Sequence, residues 1–594
     1  MPHTIKLFGT EFQVNTTTLN GQFQSHVTAL PTGLFEITWN DFSNDAPGAA
    51  DCDIRIAGFL ADGTSAGPET LVNLITPKWQ IDSDVAGLAD GASVVVWTDY
   101  NPDVSPNGHG IEAQLFDRHG DFLGDPVRVD ILDNEDQAKP TVAGLTNGDL
   151  VIAFEALDFL GTGPDPFTEA IEMVIIHPDG TITDPVLVNT ITTGSQNQPS
   201  ITSLSGGGFV IAWSDDSEAA PDTSFEAVRA QVYDAQGHAV GGEILANTAI
   251  SSHQYNSTVT GLSTGGFVIA WEDYSQTGTD QSSSAVRGQV FDATGTMVGV
   301  EFQINTQTLS SQFNVKVAAL ADGRFVAVWA DGSLTGGDAD GTAIKAQVFN
   351  ANGSLWGHEF LVNTVTAGFQ IEPDVAVLAD GRFVVSWSSN DGVVDTSSYG
   401  IEGQILDART HGIDLAGTTL SDNYIGSRFR DTLEGNNGAD GLSGGKGRDR
   451  IIGGFGNDTV AGDSGKDRLY GDSGNDSISG GKGKDWIESG LGTDHLFGGK
   501  GADVFFFTIQ EEAGKGASRD VIADFRSGVD TLDFSSFMTI GHFIGANTFH
   551  GGGKVEVNFF ANTHILSGDV DGDGHADFEL TLTGAHLVAG DIVF

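Results

Sequence analysis

Two hydrophobic rhythms divide the chain. Through residues 1–415, short apolar runs end repeatedly in an aromatic, at Trp39, Trp97, Phe154, Trp213, Trp271, Trp329 and Trp387, with spacings of 57 to 59 residues. The segment therefore reads as seven copies of one unit. Each unit contains four strand-like runs, as in Pro199–Leu204, Gly208–Trp213, Ala227–Tyr233 and Glu243–Asn247. Gly206-Gly207 separates the first run from the second, and Asp234–Gly237 the third from the fourth; both are hairpin signals. Four antiparallel strands repeated seven times predict a seven-bladed β-propeller, with an open solenoid of the same units as the other arrangement. The phase of the ends favours closure. Glu11–Thr16 reads as a fourth strand, and the seventh unit stops after its third, Ile401–Asp407. The early strand is expected to complete the last blade and remove an open edge.

From Gly417 to Phe506 the period changes to nine, which belongs to no helix or ordinary strand. Aspartate recurs at 422, 431, 440, 449, 458, 467, 476, 485, 494 and 503, and two residues later comes an apolar side chain, from Tyr424 and Leu433 through to Leu496 and Phe505. Glycines fill most positions before each Asp. A Gly-rich turn followed by a three-residue strand with one buried side chain accounts for the period. A flexible Gly/Asp-rich linker would not hold an apolar residue in phase through ten copies. Turn carbonyls and carboxylates are hard oxygen ligands, which suit Ca²⁺ better than zinc or copper. The candidate ligands are Asp440, Asp449, Asp458, Asp467, Asp476, Asp485, Asp494 and Asp503, with Gly445, Gly447, Gly454, Gly456, Gly481, Gly483, Gly499 and Gly501 shaping the turns. The first two copies, Gly417–Ile425 and Gly426–Glu434, lack most of the glycines and are expected to cap the stack.

This nonapeptide resembles the calcium-binding repeat of the RTX (repeats-in-toxin) family of secreted bacterial proteins, which implies a parallel β-roll over residues 416–506. Ser518–Phe534 resembles the region that follows the roll in serralysin-type members. The ending Gly590–Phe594 is similar to their type I secretion signals, so 507–594 is expected to be a β-rich cap and secretion domain. By that resemblance the roll is unfolded in the low-calcium cytosol and folds outside, and the partner for export is the type I secretion machinery.

Charge narrows the function. The chain carries 81 acidic and 27 basic residues, a net charge of −54, which argues against nucleic-acid binding. Residues 1–416 hold 54 of the acids and 13 of the bases, so the acidic surface belongs mainly to the propeller. Cys52 is the only cysteine, which leaves bound calcium as the available staple in an exported chain. The first ten residues contain no apolar signal core, and no stretch approaches a membrane span.

Two polar positions recur in the propeller units. Gln22, Gln80, Gln137, Gln196, Gln254, Gln312 and Gln370 are expected on the connection into each blade, and Asp41, Asp99, Asp215, Asp273 and Asp331 follow the aromatic by two residues. They are the ligand-face candidates, read either as a ring around a ligand entrance or as braces that tie loop backbones together. The departures from symmetry are Phe154-Glu155-Ala156, Trp387-Ser388-Ser389-Asn390, and the loops around His109–Glu112, Asp158–Glu169 and Asp215–Phe225. No zinc-protease, nucleophile-elbow or phosphate-loop motif occurs, and the two Gly-Asp-Ser-Gly runs fall in register with the nine-residue repeat. Asp569, Asp571, Asp573 and Asp577 occupy positions 1, 3, 5 and 9 of an EF-hand-like loop, but position 12 is Leu580 rather than a bidentate Glu. The reading is a secreted calcium-binding protein whose propeller is an extracellular binding or adhesion module, for a glycan or another surface. The alternatives are a secreted glycan-active hydrolase or lyase and a bacteriocin-like RTX toxin.

Overall fold

A computed structural model describes all residues except 1–4, 19, 44–51, 75–77, 101–108, 130–135, 158–168, 224, 279, 282, 393–397 and 585. The chain is almost entirely β and divides into two compact units, Met1–Ala408 and Arg409–Phe594.

The first unit is a seven-bladed propeller. Six blades take four consecutive strands each; blade 1 holds Gln22–Ala29, Phe35–Asp41, Asp53–Phe59 and Thr70–Leu71. Blade 7 orders Gln370–Val377, Phe383–Ser389 and Gly400–Asp407, and its fourth strand is Lys6–Gln13, paired antiparallel to Gly400–Asp407. The second strand of every blade is buried on both faces, which is why it reads as a continuous run such as Phe209–Asp215. Its aromatic packs against the neighbouring blade: Trp271 of blade 5 sits among Val210, Ala212, Val228 and Ala230 of blade 4. The core is thus a ring of blade-to-blade interfaces.

All seven first strands break register after the residue that follows the Gln. Each bulge carries a non-glycine residue at positive φ: Gln24 (53°), Asp82 (55°), Lys139 (48°), Gln198 (53°), Asn256 (54°), Asn314 (51°) and Glu372 (53°). Left-handed backbone costs a non-glycine residue about 1 kcal/mol or more, so the fold sustains this strain seven times.

The second unit is a parallel β-roll. Leu433 pairs with Ile451 and Ile451 with Leu469 in one sheet; Leu442 pairs with Val460 and Val460 with Ile478 in the other. Paired residues are 18 apart, so two nonapeptides make one turn and alternate repeats feed opposite sheets. The ten apolar residues, Tyr424 to Phe505, are at most 2 % exposed and form the interior. Both sheets continue past the repeats: Asp520–Ile522 and Phe578–Leu582 extend one, Thr531–Asp533 and Ile592–Val593 the other.

Candidate functional site

The recurrent Gln and Asp of the propeller face each other across the first two strands, as in the Gln196–Asp215 pair; six of the glutamines open their strand and Gln137 is the second residue of Asp136–Gly144, rather than lying on the connection before it. They belong to a closed circuit between adjacent blades. Asn189 Nδ2 donates to Gln196 Oε1 at 3.0 Å, and Gln196 Nε2 donates to Asp215 Oδ1 at 3.0 Å. Arg229 donates to Asp215 Oδ2 and, at 3.1 Å, to Glu243 Oε1. Glu243 Oε2 accepts from the amide and hydroxyl of Thr190, beside the starting Asn, at 2.8 and 2.6 Å. The circuit recurs as Asn15–Gln22–Asp41–Arg55–Glu69–Thr16, Asn247–Gln254–Asp273–Arg287–Glu301–Thr248 and Asn305–Gln312–Asp331–Lys345–Glu359–Thr306. Gln80 likewise joins Asn73 to Asp99, and Gln370 accepts from Asn363. All seven glutamines, Gln137 included, are at most 1 % exposed and the five aspartates at most 2 %. Buried and, Gln137 apart, engaged in this way, these residues brace the blades. None of them lines the central cavity.

That cavity, of about 310 Å³, is lined by the bulges of the first strands, including Gln24-Ser25-His26, Asp82-Ser83-Asp84, Lys139-Pro140-Thr141 and Asn314-Val315-Lys316. Its wall is polar and of mixed charge. His26 Nδ1 lies 3.6 Å from Asp84 Oδ1 and 3.7 Å from Asp374 Oδ2, linking three blades. Glu155, from the divergent third unit, accepts from Lys139 Nζ at 3.1 Å and from the Gln198 amide at 2.7 Å. Burial pushes the Glu155 carboxyl up while Lys139 pulls it down; Asp82 is likewise raised by burial, against Lys139, His26 and His109. Ser388, from the divergent seventh unit, donates to Glu372 at 3.1 Å. In the remaining loops Phe225 stacks on His253, and residues 158–168 lie outside those described. Along the sequence this wall is the triplet that begins two residues after each Gln, which carries proline or valine at its centre in four of the seven strands.

In the roll the aspartates form a continuous ladder. The amide of each Asp donates to Oδ1 of the Asp one turn on: Asp440 to Asp458, Asp449 to Asp467, Asp458 to Asp476, all at 2.9 Å. The series runs through Asp467, Asp476 and Asp485 and then passes the repeats, with Asp494 donating to Asp520 and Asp503 to Asp530. The other oxygen of Asp440, Asp449, Asp458, Asp467, Asp476, Asp485 and Asp494 is buried and has no hydrogen-bond partner. In the first six of these repeats it lies against the glycine that opens the repeat: a Cβ on Gly453 would sit 2.4 Å from Asp458 Oδ2 and 2.9 Å from the Gly471 carbonyl oxygen. The glycines at the second and fourth positions are as constrained. Gly456 has φ 140°, and a Cβ there would fall 1.5 Å from the Gly438 oxygen. At the ends the chain supplies its own partners. The Asp422 and Asp431 carboxylates accept from Thr418 and Ser427, and Arg526 lies 3.3 Å from Asp503 Oδ2.

The family comparisons bear on this unit. Residues 417–451 match the RTX calcium-binding nonapeptide repeat, and residues 439–594 match the C-terminal region of peptidase M10, serralysin. The second unit is an RTX roll with a serralysin-type end. RTX repeats are calcium binders, and the pairing with a serralysin-type end points to a protein secreted from bacteria. Among the described residues no helix is long and apolar enough to cross a membrane. No curated protein matches the chain. Solved structures that align with it include a protein of unknown function from Dyadobacter fermentans, 13% identical over 69% of this chain and 100% of that one, TM-score 0.41. A Penicillium chrysogenum α-L-arabinanase is 11% identical over 68% and 99%, TM-score 0.38, and the NanB sialidase of Streptococcus pneumoniae is 10% identical over 68% and 70%, TM-score 0.37. At these values, what those proteins act on says nothing of this chain.

The RTX ladder fits calcium by its chemistry. A buried carboxylate oxygen with no donor is costly unless a cation meets it. Burial, reinforced by the neighbouring carboxylates, pushes Asp440, Asp449, Asp476 and Asp485 up to about 7; Asp494 is also pushed up to about 7 by burial, and Asp520 to about 8. The ladder is therefore an incomplete polar network of oxygen donors only, the donor type of a hard divalent cation. In the EF-hand-like loop, Asp569, Asp571 and Asp573 bring carboxylate oxygens within 4.8 Å of one another. Asp577 is separate from that group, its Oδ2 accepting from Val570 and Asp571 at 2.7 and 3.2 Å. Leu580 is buried in the sheet and contributes no ligand.

Proposed function

We propose that this is a secreted protein whose RTX roll folds around several Ca²⁺ ions outside the cell and whose propeller is an extracellular binding module for a small polar ligand such as a glycan unit. The observation that carries the calcium part is the row of seven buried, donorless Asp oxygens. The residues that would hold the ions are Asp440, Asp449, Asp458, Asp467, Asp476, Asp485 and Asp494 with the carbonyls of the glycine turns. Asp503 has Arg526 beside it instead. Sites of ~10⁻⁴ to 10⁻³ M would stay empty in the cytosol and fill outside, which suits export of an unfolded segment by type I machinery.

The binding reading of the propeller rests on its central cavity, where side-chain amides, hydroxyls, carboxylates and two lysines converge at fixed bulges. A glycan-active hydrolase or lyase is the second reading, favoured by Asp82 and Glu155, two carboxyls raised by burial near Lys139. Calcium titration of the full chain followed by circular dichroism tests the first part; an unchanged spectrum at millimolar calcium refutes it. Glycan-array binding tests the second, with wild type compared against Lys139→Ala. Release of reducing ends or unsaturated sugars would instead support the enzyme.

A further inference from the structure

The residue that faces the conserved-position aromatic across the second and third strands is a cation in four blades: Arg55 opposite Trp39, Arg229 opposite Trp213, Arg287 opposite Trp271 and Lys345 opposite Trp329. Each is held between the Asp of the second strand and the Glu of the fourth, for example Arg287 Nε 2.5 Å from Asp273 and Nη1 2.8 Å from Glu301. In blade 7 the same place, opposite Trp387, holds Glu402. Its fourth-strand acid is still present as Glu11, whose Oε2 holds the Thr364 hydroxyl and amide as its counterparts do in the sister blades. The second-strand Asp has become Ser389.

The circuit of those four blades is thus reversed in charge where blade 7 should close the ring. Glu402 is 1 % exposed, and both its carboxylate oxygens are buried without a hydrogen-bond partner, as is Glu11 Oε1. Asp391 is the third acid acting on Glu402. Glu112 and Glu172 also replace the cation, in blades 2 and 3, but both have partners. We propose that blade 7 binds a divalent cation of the calcium type between Glu402 and Glu11, in the place where four sister blades hold an Arg or Lys side chain.

Three features support it. Among the described residues the site offers carboxylate and hydroxyl oxygens, the donor set of a hard cation. In each of the four sister sites one cation lies between the two acids, whereas Glu402 and Glu11 have none between them among the described residues, and one divalent cation would balance that pair. With no cation there, the Glu402 carboxyl is pushed well up, by burial first and then by the Glu11 and Asp391 carboxyls close enough to hydrogen-bond to it once protonated. The ion would join Glu11, next to strand Lys6–Gln13's pairing with the chain's own third strand, to Glu402 on that third strand, and so would latch the strand that closes the propeller.

The test is hydrogen exchange of the full chain at neutral pH, in millimolar calcium and in chelator, read on peptides covering 6–13 and 400–407. At about ten times the dissociation constant, calcium should slow exchange there about tenfold, with little change in strand Ala239–Leu245, whose blade holds Arg229. Glu402→Arg restores the chain's own cation and should protect residues 6–13 equally with and without calcium. Glu402→Gln should abolish the calcium effect without supplying a cation. Equal exchange in calcium and chelator for wild type overturns the proposal, as does a full calcium effect in Glu402→Arg. Protection gained simply by lowering the pH in chelator, with none added by calcium, also overturns it in favour of a proton shared by the two carboxyls.

Discussion

Replacing Asp467 by Asn should act with opposite signs in the absence and presence of calcium. Asp467 is 1 % exposed; its Oδ1 accepts the Asp449 amide at 2.9 Å, and its Oδ2 has no partner. Asn keeps the first bond and removes the charge. Burial pushes this carboxyl up from 3.8 to about 6, with Asp463 adding to it. At about 1.4 kcal/mol per pH unit, ionising it in place costs up to about 3 kcal/mol. Local relaxation around the ionised group reduces that to about 1–2 kcal/mol. In chelator, then, Asp467→Asn should stabilise the roll by about 1–2 kcal/mol. With calcium the substitution removes a charged ligand, and the calcium midpoint should rise about tenfold, or about 1.4 kcal/mol. The assay is calorimetry of the full chain, following the transition that responds to calcium, alongside a calcium titration by circular dichroism. A variant that is less stable in chelator, or that keeps the wild-type midpoint, refutes the view that this oxygen waits for a cation.

Further outcomes follow from the same geometry. Without calcium the roll should be more stable at pH 5 than at pH 7.5: five aspartates pushed up to about 7 are protonated in the folded roll but ionised in the unfolded chain, so stability is lost as pH climbs from about 4 to about 7. The folded fraction of the roll in chelator, read by circular dichroism across that range, checks it, and saturating calcium should reverse the trend. Gly456→Ala should disrupt the roll even in calcium, because its Cβ meets the Gly438 oxygen at 1.5 Å; a calcium-induced spectrum equal to wild type would contradict this. Gln254→Ala leaves Asn247 and Asp273 each short of a buried partner and should lower propeller stability by about 1–3 kcal/mol in a denaturant titration, without altering ligand binding. Arg229→Ala strands Asp215 and Glu243 and should cost about 3–5 kcal/mol.

Both architectures were legible because each repeats. A period near 58 ending in an aromatic, and a period of nine carrying an Asp, are patterns no single element produces. What stayed hidden was whatever departs from period. The strand endings misplaced the seven glutamines by one element, because the bulge that follows each leaves no mark in hydrophobic alternation. For the same reason the wall of the central cavity, built from residues such as Lys139 and Asn314 at positive φ, went unread. Asp520 and Asp530 complete the ladder at spacings of 26 and 27 from Asp494 and Asp503 rather than the 18 of every earlier rung, although both keep the Asp-x-apolar form. Glu402 carries meaning only once the register sets it opposite Trp387, where its sister blades carry Arg or Lys.

The aspartate ladder also has a direction. Every rung is held from its C-terminal side, since each amide is received by a carboxylate further along the chain, and the last two rungs hang on Asp520 and Asp530. Loss of Thr418 or Ser427 would fray the starting end and leave the rest standing. Loss of the segment bearing Asp520 and Asp530 would release the rungs in sequence, like a zip whose slider sits at one end. Order in the whole stack is therefore handed down from a region outside the repeats, and the repeats by themselves are a track without a stop.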